Sequence, residues 1–343
     1  RFRRAAISVR KGWSKSELGA LVAACELHPA APVRFARWNG KGEPEGQGVT
    51  DPYIPLVAVT EEQSEDLAYG ALKVILELSK VAGDFDIGLA RIMRRAGDGK
   101  AEALSSAPGA RDGARTTFSL FDETHRWILP RHRAAHRTML ANLPKRFGAD
   151  PWGLEVTTAP APGEGSVAED TMTYAKAVAD GERSDARLFF FHRYAGDGHD
   201  LTTKSGVHDA VMEASGPVAG WSDIDSIVEQ FADPTADVSF LRRVWLNQLV
   251  TRGGAAFDVQ LWNALAKPGV TIADGDLIVL GFDGSRLYDA TALRATHVES
   301  GYQWTLGLWE RPENVVDWQV PEDEVEAAVV AAFARWDVWR MYA

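Results

Sequence analysis

The sequence lacks the features that mark secreted and membrane proteins. Its 343 residues include a single cysteine, Cys25, so no internal disulfide can form, which fits a reducing cytoplasm. No stretch reaches the roughly 18 consecutive apolar residues of a membrane-spanning helix. The opening residues, Arg-Phe-Arg-Arg, lead directly into a predicted strand and not into a signal peptide. We therefore expect a cytoplasmic protein without membrane contact, with Cys25 buried on the apolar face of the first helix.

The sequence also lacks an excess of positive charge. Its formal net charge is −11, which argues against a protein that coats nucleic acid, because such domains carry a basic surface. A motor is not excluded, since it must release DNA in every cycle and needs only local basic side chains. With 45% hydrophobic and 25% charged residues, the chain is long enough for two folded domains. Because the sequence begins with Arg1 and not with a methionine, and a predicted strand follows almost at once, we expect the chain to be a fragment of a longer protein.

The segment Arg-Lys-Gly-Trp-Ser-Lys-Ser at 10–16 has the pattern of a phosphate-binding loop. It follows the apolar run Ala5–Val9 and precedes a helical pattern, so backbone N–H groups and a helix N-terminus would point at one spot. In the Walker A template G-x-x-x-x-G-K-[ST], glycine is expected where Val9 and Ser14 stand. The alternative is a solvated surface turn. We predict that seven residues bind nucleotide: Arg10, Lys11, Gly12, Trp13, Ser14, Lys15 and Ser16.

Two later strand ends carry polar side chains that suit the same chemistry. One predicted strand ends at Asp122 and Glu123, where the first acid can hold Mg²⁺ and the second can activate water, as in a Walker B motif. The next, Leu154–Ala159, contains Thr157 and Thr158, whose hydroxyls can sense the γ-phosphate of ATP. The alternatives are a surface turn and an ordinary strand end. Together the three strand ends predict one ATPase site.

Taken in order, these motifs resemble those of the large terminase subunit of tailed bacteriophages, and most of all the type found in phages of actinobacteria. The resemblance covers nearly the whole chain. Besides the phosphate loop, it rests on Phe-Asp-Glu-Thr-His-Arg-Trp (121–127), Thr-Thr-Ala-Pro (157–160), Pro-Gly-Glu-Gly-Ser (162–166), Phe-Leu-Arg-Arg-Val-Trp-Leu-Asn-Gln (240–248), Leu-Gly-Phe-Asp-Gly-Ser (280–285) and Asp-Ala-Thr-Ala-Leu (289–293).

The expected architecture is α/β and has three parts. Alternating strand and helix patterns favour a parallel central sheet in a P-loop ATPase domain at 1–202. The alternation is then lost, and the resemblance implies a helical lid or linker at 203–270. From there to 343 the order strand, strand, strand, helix, strand is that in which an RNase H-like nuclease domain begins.

The resemblance also implies a function. Such a protein uses ATP and Mg²⁺ to translocate double-stranded DNA through a portal protein into a procapsid, and cuts concatemers with a Mg²⁺- or Mn²⁺-dependent endonuclease. Its expected partners are DNA, the portal and procapsid, the small terminase subunit and further copies of itself in a homo-oligomeric ring. It would work in the host cytoplasm, transiently docked on the procapsid. Two other functions remain open: a superfamily-2-like helicase or other P-loop nuclease, and an inactive assembly scaffold.

Two acids are the expected metal ligands of the nuclease part. Asp283 ends its first strand, where an RNase H-like fold places its first metal-binding carboxylate, and Asp289 matches a second acidic position of the resembled nuclease. Two-metal cleavage needs carboxylates around cations about 4 Å apart. The acid of the fourth strand would fall beyond Ala343, so we expect an incomplete site unless Glu310 replaces it.

One loop cation is a candidate for catalysis between subunits. By resemblance, terminases carry an Arg-Gly element ahead of the acidic pair, and in some of them the arginine acts on the ATP of a neighbouring subunit. Arg111 is therefore the candidate arginine finger. A solvated loop cation is the alternative, and Arg10 and Lys11 compete for a similar role within the same subunit.

Further expectations concern local structure. The segment 96–115 is rich in Gly, Ala, Ser and Asp and is expected to be mostly loop, whereas 188–192 is expected to be a buried strand. His125 and His192 lie beside strand ends, but no second His or Cys stands at ligand spacing, so they predict no metal site. The side chains expected to pack in the core of the helical part are Phe240, Val244 and Leu249.

Overall fold

A computed structural model of the chain describes residues 2–60, 64–105, 114–250, 265–267, 269–285, 290–310 and 318–343. These residues belong to two compact units, Arg1–Asp258 and Val259–Ala343. Each unit has its own principal sheet and its own apolar core. No helix in the described ranges is both long enough and apolar enough to cross a bilayer.

The first unit is built around an eight-stranded sheet. Its strands, in chain order, are β1 (Arg4–Ser8), β2 (Arg34–Trp38), β3 (Pro44–Gln47), β4 (Tyr53–Ala58), β5 (Phe85–Ile87), β6 (Arg91–Arg94), β7 (Lys100–Ser105), β8 (Phe118–Asp122), β9 (Trp152–Thr157) and β10 (Leu188–His192). Strands β2 and β3 form a separate hairpin, and the others follow the spatial order β10-β1-β9-β8-β4-β7-β6-β5.

Six neighbouring strands of this sheet, from β10 to β7, run parallel, and β6 and β5 extend it in antiparallel pairing. The central strands β4 and β8 are buried along almost their whole length, as expected of parallel strands covered on both faces. Their sequences are accordingly continuous apolar runs. The α/β fold class with a parallel central sheet is confirmed.

Seven α-helices of the first unit are described: α1 (Lys15–Leu27), α2 (Gly70–Glu77), α3 (Pro130–Asn142), α4 (Val167–Ala179), α5 (Lys204–Ser215), α6 (Ile224–Phe231) and α7 (Val238–Leu246). A π-helical turn, Glu65–Tyr69, precedes α2, and a 3₁₀ turn, Thr124–Arg126, follows β8. Four helices begin at side chains that accept the N–H of the third helical residue, which satisfies an otherwise orphaned donor. These caps are Ser166, Thr203, Asp223 and Asp237.

Three apolar clusters stabilise different parts of this unit, one of them around Phe121, Trp127 and Met139. The main one joins α1 and α2 to the sheet through side chains such as Leu27, Leu72 and Leu120. A smaller one holds α5, α6 and α7 together around Val211 and Leu246. The helical segment that follows β10 thus has its own core inside the first unit.

The second unit contains β11 (Leu277–Asp283), β12 (Thr291–His297), β13 (Gln303–Trp309), α8 (Glu322–Arg335) and β14 (Asp337–Tyr342). Its spatial order is β13-β12-β11-β14, with β11, β12 and β13 antiparallel and β14 parallel to β11. A core around Leu280 and Leu293 fixes this sheet against α8. The predicted succession of three strands, a helix and a fourth strand is present.

The expectation of loop at 96–115 is wrong for β7. This strand pairs in parallel with β4, and its Ala101 and Ala103 are buried at the two-residue period of a strand. The composition was misleading because small side chains are common in loops. In β7 the small side chains of Ala101 and Ala103 pack in the core. The segment 106–113 lies outside the described residues.

Cys25 is exposed, contrary to expectation. The buried face of α1 is formed by Lys15, Gly19, Ala20, Ala23, Glu26 and Leu27. Small and polar residues make up most of that face because β8 approaches closely: a Cβ on Gly19 would lie 2.8 Å from Leu120. The apolar pattern therefore pointed to the wrong side of the helix.

Two further burial expectations are wrong. Phe240 and Leu249 are 46% and 47% exposed, because α7 uses Leu241 and Leu246 for its buried contacts and ends before Leu249. Val244 is half-buried. Strand β10 is only partly buried because it lies at the edge of the sheet.

Candidate nucleotide-binding site

The three strands that carry the predicted motifs lie side by side. Strand β9 pairs in parallel with β1 on one side and with β8 on the other, so all three carboxyl ends open at one edge of the sheet. Beyond the strands, the Val9 N–H donates to the Thr157 carbonyl at 3.0 Å, and the Glu123 N–H donates to the Val156 carbonyl at 2.9 Å. The threonine strand is thus inserted between the phosphate loop and the acidic pair.

The phosphate loop contains two residues in the left-handed region. Gly12 has φ 73° and Ser14, immediately before α1, has φ 55°. A side chain at Gly12 would be strained, so this glycine is required by the backbone. Ser14 occupies the position where the template has glycine, at a conformational cost of about 1–2 kcal/mol. The loop therefore keeps the left-handed residue before the helix although it lacks the glycine.

Lys15 and Glu123 form an ion pair. Their Nζ and Oε1 atoms are 2.6 Å apart, and the two side chains are only 8% and 17% exposed. Burial alone would raise the pKa of Glu123, but the charge of Lys15 outweighs it and holds this pKa below its ordinary value. Glu123 is therefore ionised at neutral pH, as a general base must be.

Asp122 is buried beside the hydroxyl of Ser16. It is 1% exposed, and among the described residues no group in normal hydrogen-bond geometry reaches either carboxylate oxygen. Burial and then the charge of Glu123 raise the pKa of Asp122 to about 6, while Ser16 and Lys15 act in the opposite direction. A buried carboxylate with free oxygens beside a serine hydroxyl is a donor set that suits Mg²⁺.

The threonine strand contacts the acidic strand through a histidine. The Oγ1 of Thr157 accepts the backbone N–H of His125 at 2.9 Å and donates to the Thr158 carbonyl at 3.0 Å. The His125 ring contacts Thr157 on one side and Glu123 on the other. Thr157 thus contacts the catalytic segment directly.

These groups border a cavity of about 1170 Å³. Small-molecule pockets typically measure roughly 300–1,000 Å³, so a nucleotide fits this space. Apolar side chains of α1 and α2 form one wall. The charged and polar lining residues are Lys11, Ser14, Lys15, Ser16, Glu17, Glu123, His125, Arg126, Thr158, Glu164 and Arg243.

Arg10 and Trp13 do not line this cavity. The Arg10 guanidinium is buried and donates to Ser215 Oγ at 2.6 Å and to Ser222 Oγ at 2.5 Å. Trp13 donates its indole N–H to the Ser215 carbonyl at 3.0 Å. The side chain of Arg10 is therefore committed to the segment around α5, which speaks against the expected role of this arginine as a cation on the phosphates.

Asn247, at the end of α7, connects the helical segment to the strand ends. Its side chain is fully buried; Oδ1 accepts the Ala159 N–H at 2.6 Å, and Nδ2 donates to Ser8 Oγ and to the Arg193 carbonyl. It adopts φ 53°, which Asn tolerates better than most residues. One amide therefore joins the ends of β1, β9 and β10 to α7.

The remaining predicted residues are placed elsewhere or lie outside the described ranges. Arg111 and Asp289 fall in segments that are not described. Asp283 ends β11 and is exposed. Among the described residues, no group of three or more His, Cys, Asp or Glu side chains is arranged to hold a metal ion.

Three cavity-lining or bridging residues were not foreseen as functional. The sequence singles out His125 only to exclude it as a metal ligand, and Arg126 and Arg243 belong to segments of the terminase resemblance to which no role was assigned. Helix α7 brings Arg243 to the cavity, although this residue follows Glu123 by more than a hundred residues in sequence. Two sequence signals could have found them: the place of His125 and Arg126 beside the acidic pair, and the place of Arg243 in the motif segment 240–248.

Comparisons with known proteins agree with this architecture. The Gene 13 protein of Mycobacterium phage L5 is 26% identical over 369 positions, covering 98% of this chain and 61% of that protein, and the Gene 13 protein of Mycobacterium phage D29 is 27% identical over 374 positions, covering 98% and 60%. The chain thus spans about three fifths of these relatives. No protein-family model matches.

Among solved structures, the large terminase of bacteriophage HK97 superimposes with a TM-score of 0.57 at 14% identity, covering 99% of this chain and 71% of that one. The resemblance to phage large terminases is therefore confirmed at the level of the fold.

Proposed function

We propose that this chain is part of a large terminase subunit and that its first unit is an ATPase that drives DNA translocation. In this proposal Lys15 binds the β- and γ-phosphates, and Ser16 with Asp122 holds Mg²⁺. Glu123 takes a proton from the attacking water. Thr157 and Thr158 relay loss of the γ-phosphate toward the parts of the protein that hold DNA.

The observation that carries the proposal is the meeting of three motifs at one sheet edge. Lys15, Glu123 and the threonine pair come from strands far apart in sequence, yet they border or support one cavity. A lysine at a helix N-terminus and a carboxylate at the end of a nearby strand are groups that phosphoryl transfer uses. An ordinary surface turn would not bury these charges.

The donor set of Asp122 and Ser16 supports Mg²⁺ as the cofactor. Among the described residues no group in normal hydrogen-bond geometry reaches the buried carboxylate oxygens of Asp122, and a divalent cation would supply the missing charge. When bound, Mg²⁺ neutralises charge that develops on the transferring phosphoryl group. The chain's own residues supply its ligands and the base beside it.

Packaging is the biological setting that the resemblance supports. We infer an ATPase part at 1–202, a helical lid or linker at 203–270 and a nuclease part at 271–343, with double-stranded DNA as the substrate. The inferred partners are a portal and procapsid, a small terminase subunit and other copies of the chain in a ring. The work would take place in the host cytoplasm, on the procapsid.

Two roles in this proposal concern residues outside the described ranges. Arg111 is proposed as an arginine finger that reaches a neighbouring subunit, and Asp289 as a partner of Asp283 in a Mg²⁺- or Mn²⁺-dependent endonuclease site. Support for both comes from their positions relative to the resembled motifs. Asp283 supports the second role because it ends β11.

The test is ATP hydrolysis by Glu123→Gln. The amide cannot accept a proton, so turnover should fall by about 10² or more while Mg²⁺–nucleotide affinity is retained. A matched control is Glu17→Gln, which removes another carboxylate from the lining of the same cavity and should change turnover less than about threefold. Hydrolysis would be followed by phosphate release with and without double-stranded DNA, and affinity by a fluorescent nucleotide.

Two results would contradict the assignment. Unchanged hydrolysis in Glu123→Gln would remove this residue from the reaction. ATP binding without hydrolysis by the unaltered protein under every condition, including added DNA and procapsids, would favour the inactive scaffold.

A further inference from the structure

Arg243 is a charged side chain of the cavity to which the proposed reaction gives no role. It belongs to α7, and its guanidinium packs over the ring of Phe240 at 5.8 Å from the centroid. The preceding residue is engaged elsewhere: Arg242 donates to Gln248 Oε1 at 2.8 Å and faces Asp197 Oδ1 at 3.5 Å. No carboxylate of the described residues forms an ion pair with Arg243. Its N–H donors are therefore available to a ligand in the cavity.

Helix α7 is attached to the phosphate loop and to the strand ends close to Arg243. The N–H of Lys11 donates to the Val244 carbonyl at 2.8 Å. The side chain of Asn247 bonds to Ser8 Oγ at the end of β1 and to backbone groups that follow β9 and β10. Both attachments lie within four residues of Arg243, so they fix its backbone beside the site.

Electrostatic interactions place the charge of Arg243 at the end of the cavity that holds the proposed general base. Burial is the largest of the causes that lower the pKa of His125 to about 4. Glu123 acts in the opposite direction, and the charges of Lys15, Arg243 and Arg126 add to the effect of burial. The same ring has its Nε2 3.4 Å from Oε2 of Glu123. A guanidinium whose charge acts on His125 is therefore near Glu123 as well.

The geometry of phosphoryl transfer assigns this end of the cavity to the γ-phosphate. The attacking water and the leaving oxygen of ADP lie roughly in line on opposite sides of the γ-phosphorus. Glu123, as the proposed base for that water, must therefore lie beyond the γ-phosphate and away from ADP. Arg243 is near Glu123, and the planar fork of an arginine matches two phosphate oxygens at once.

The arginine of the phosphate loop does not compete for this position. The guanidinium of Arg10 donates to the hydroxyls of Ser215 and Ser222 and does not line the cavity. The described lining has four cations, and only the last of them belongs to the helical segment: Lys11, Lys15, Arg126 and Arg243. A contact of Arg243 with the γ-phosphate would therefore join the helical segment directly to the nucleotide.

We propose that Arg243 binds the γ-phosphate of ATP within its own chain, and that the helical segment thereby distinguishes ATP from ADP. The inference rests on the proposed ATPase function. ATP has the phosphate that the guanidinium contacts, and ADP lacks it. The contact is therefore present before hydrolysis and is lost when the γ-phosphate leaves, and α7 is the element that responds.

The experiment measures the affinity of each protein for two nucleotides in the presence of Mg²⁺. They are ADP and the imido analogue of ATP, in which nitrogen replaces the oxygen between the β- and γ-phosphorus. Arg243→Ala should weaken binding of the analogue about tenfold or more, the scale of a hydrogen bond to a charged group, and change ADP binding less than about twofold. Arg243→Lys keeps the charge without the fork and should recover part of the loss. Arg242→Ala is the matched control and should change neither affinity more than about twofold, because Arg242 does not line the cavity.

Hydrogen exchange tests whether the helical segment responds to the γ-phosphate. The amides of α7 should exchange more slowly with the analogue bound than with ADP bound, and this difference should disappear in Arg243→Ala. A side chain that only supported the fold would not produce such a difference between nucleotides. Thermal denaturation would check the folding of each variant. If Arg243→Ala unfolds, Arg243→Gln, which removes the charge and keeps more of the side chain, carries the same comparison.

The outcomes separate this inference from the proposed function. Loss of the preference for the analogue in Arg243→Ala, with Arg242→Ala unchanged, supports it. Unchanged affinities in a folded Arg243→Ala, or equal weakening of both nucleotides, would overturn the role of Arg243 and leave the ATPase intact as long as Glu123→Gln abolishes turnover. Hydrolysis restored by mixing Arg243→Ala with Glu123→Gln protein would overturn the assignment to the same chain, because the arginine would then serve a neighbouring subunit. If the unaltered chain binds neither nucleotide, the proposed function and this inference both fail.

Discussion

Two strands of this protein end in an acid that the motifs marked as functional, and the two ends differ physically. Asp122, at the end of β8, is buried in the middle of a sheet, whereas Asp283, at the end of β11, is exposed. Strand β8 lies between two parallel neighbours, β9 and β4. Strand β11 lies between an antiparallel neighbour, β12, and a parallel one, β14, and Asp283 stands opposite Ala292 near the start of β12.

The difference teaches how a strand end becomes a site. Parallel neighbours deliver their own carboxyl ends to the same edge, so Asp122 and Glu123 meet Thr157 from β9 and, one strand further, the loop after β1. At Asp283 the antiparallel neighbour β12 delivers its beginning, Thr291 and Ala292, and only β14 delivers a carboxyl end. The same local pattern, an apolar run ending in Asp, therefore has different surroundings in the two units.

The largest expected effect comes from removing Lys15, the side chain that pairs with Glu123 after the end of β8. Lys15→Ala should weaken nucleotide binding by about 10² or more, because a buried charge-assisted contact with the phosphates is lost. Asp283→Ala should leave nucleotide affinity and ATP turnover unchanged. Both would be measured by nucleotide titration and phosphate release. Equal effects of the two changes would show that the two strand ends are not functionally distinct in this way.

A smaller effect concerns the stability of the nucleotide-free protein. The pKa of Asp122 is raised from 3.8 to about 6, so folding favours its protonated form, and stability is lost as pH rises from about 4 through 6. The side chain in Asp122→Asn does not ionise, so this variant does not lose stability in that way as pH rises. The free energy of unfolding of the variant relative to the unaltered chain should therefore increase between pH 4 and pH 8 by about 2–3 kcal/mol.

Urea denaturation at the two pH values measures this, and any constant cost of the amide cancels in the difference. Asp283→Asn is the control, because a change at an exposed position should alter stability by less than about 0.5 kcal/mol at either pH. A pH-independent difference for Asp122→Asn would mean that the ionised carboxylate is compensated in the free protein.

The smallest expected effect tests whether the phosphate loop has a left-handed backbone at Ser14. Ser14 is left-handed and its side chain makes no capping bond, so Ser14→Gly should be more stable than Ser14→Ala by about 1 kcal/mol. Alanine keeps the strain and glycine relieves it. Thermal or urea denaturation of the pair would show the difference. Equal stability of the two variants would mean that the loop adopts another conformation in solution.

Much of the fold could be predicted because its signals are local. The predicted strands that end at Asp122 and Asp283 are present as β8 and β11. Expectations failed where packing partners decide burial. Cys25 and Phe240 belong to apolar patterns but face away from the cores, and Ala101 and Ala103 belong to a strand that composition had concealed.

The candidate site likewise contains residues that were predicted from the sequence and residues that only the structure revealed. Lys15, Ser16, Asp122 and Glu123 were predicted from motifs, and the sheet brings Lys15 and Glu123 into direct contact. Their catalytic roles remain predictions. Asn247 and Arg243 were not predicted to act at the site, because their contacts join parts of the chain that are more than fifty residues apart.

The sequence by itself determined the residue types and their local settings: a lysine and serine at a helix start, two acids after an apolar strand, and threonines at the end of another. Tertiary structure alone decided that β9 lies between β1 and β8, that Arg10 bonds to the helical segment, and that the His125 ring separates Glu123 from Thr157. The physical reason is that local conformation depends on neighbours along the chain. Strand order and side-chain contacts depend on which buried surfaces and hydrogen bonds can be satisfied together in space.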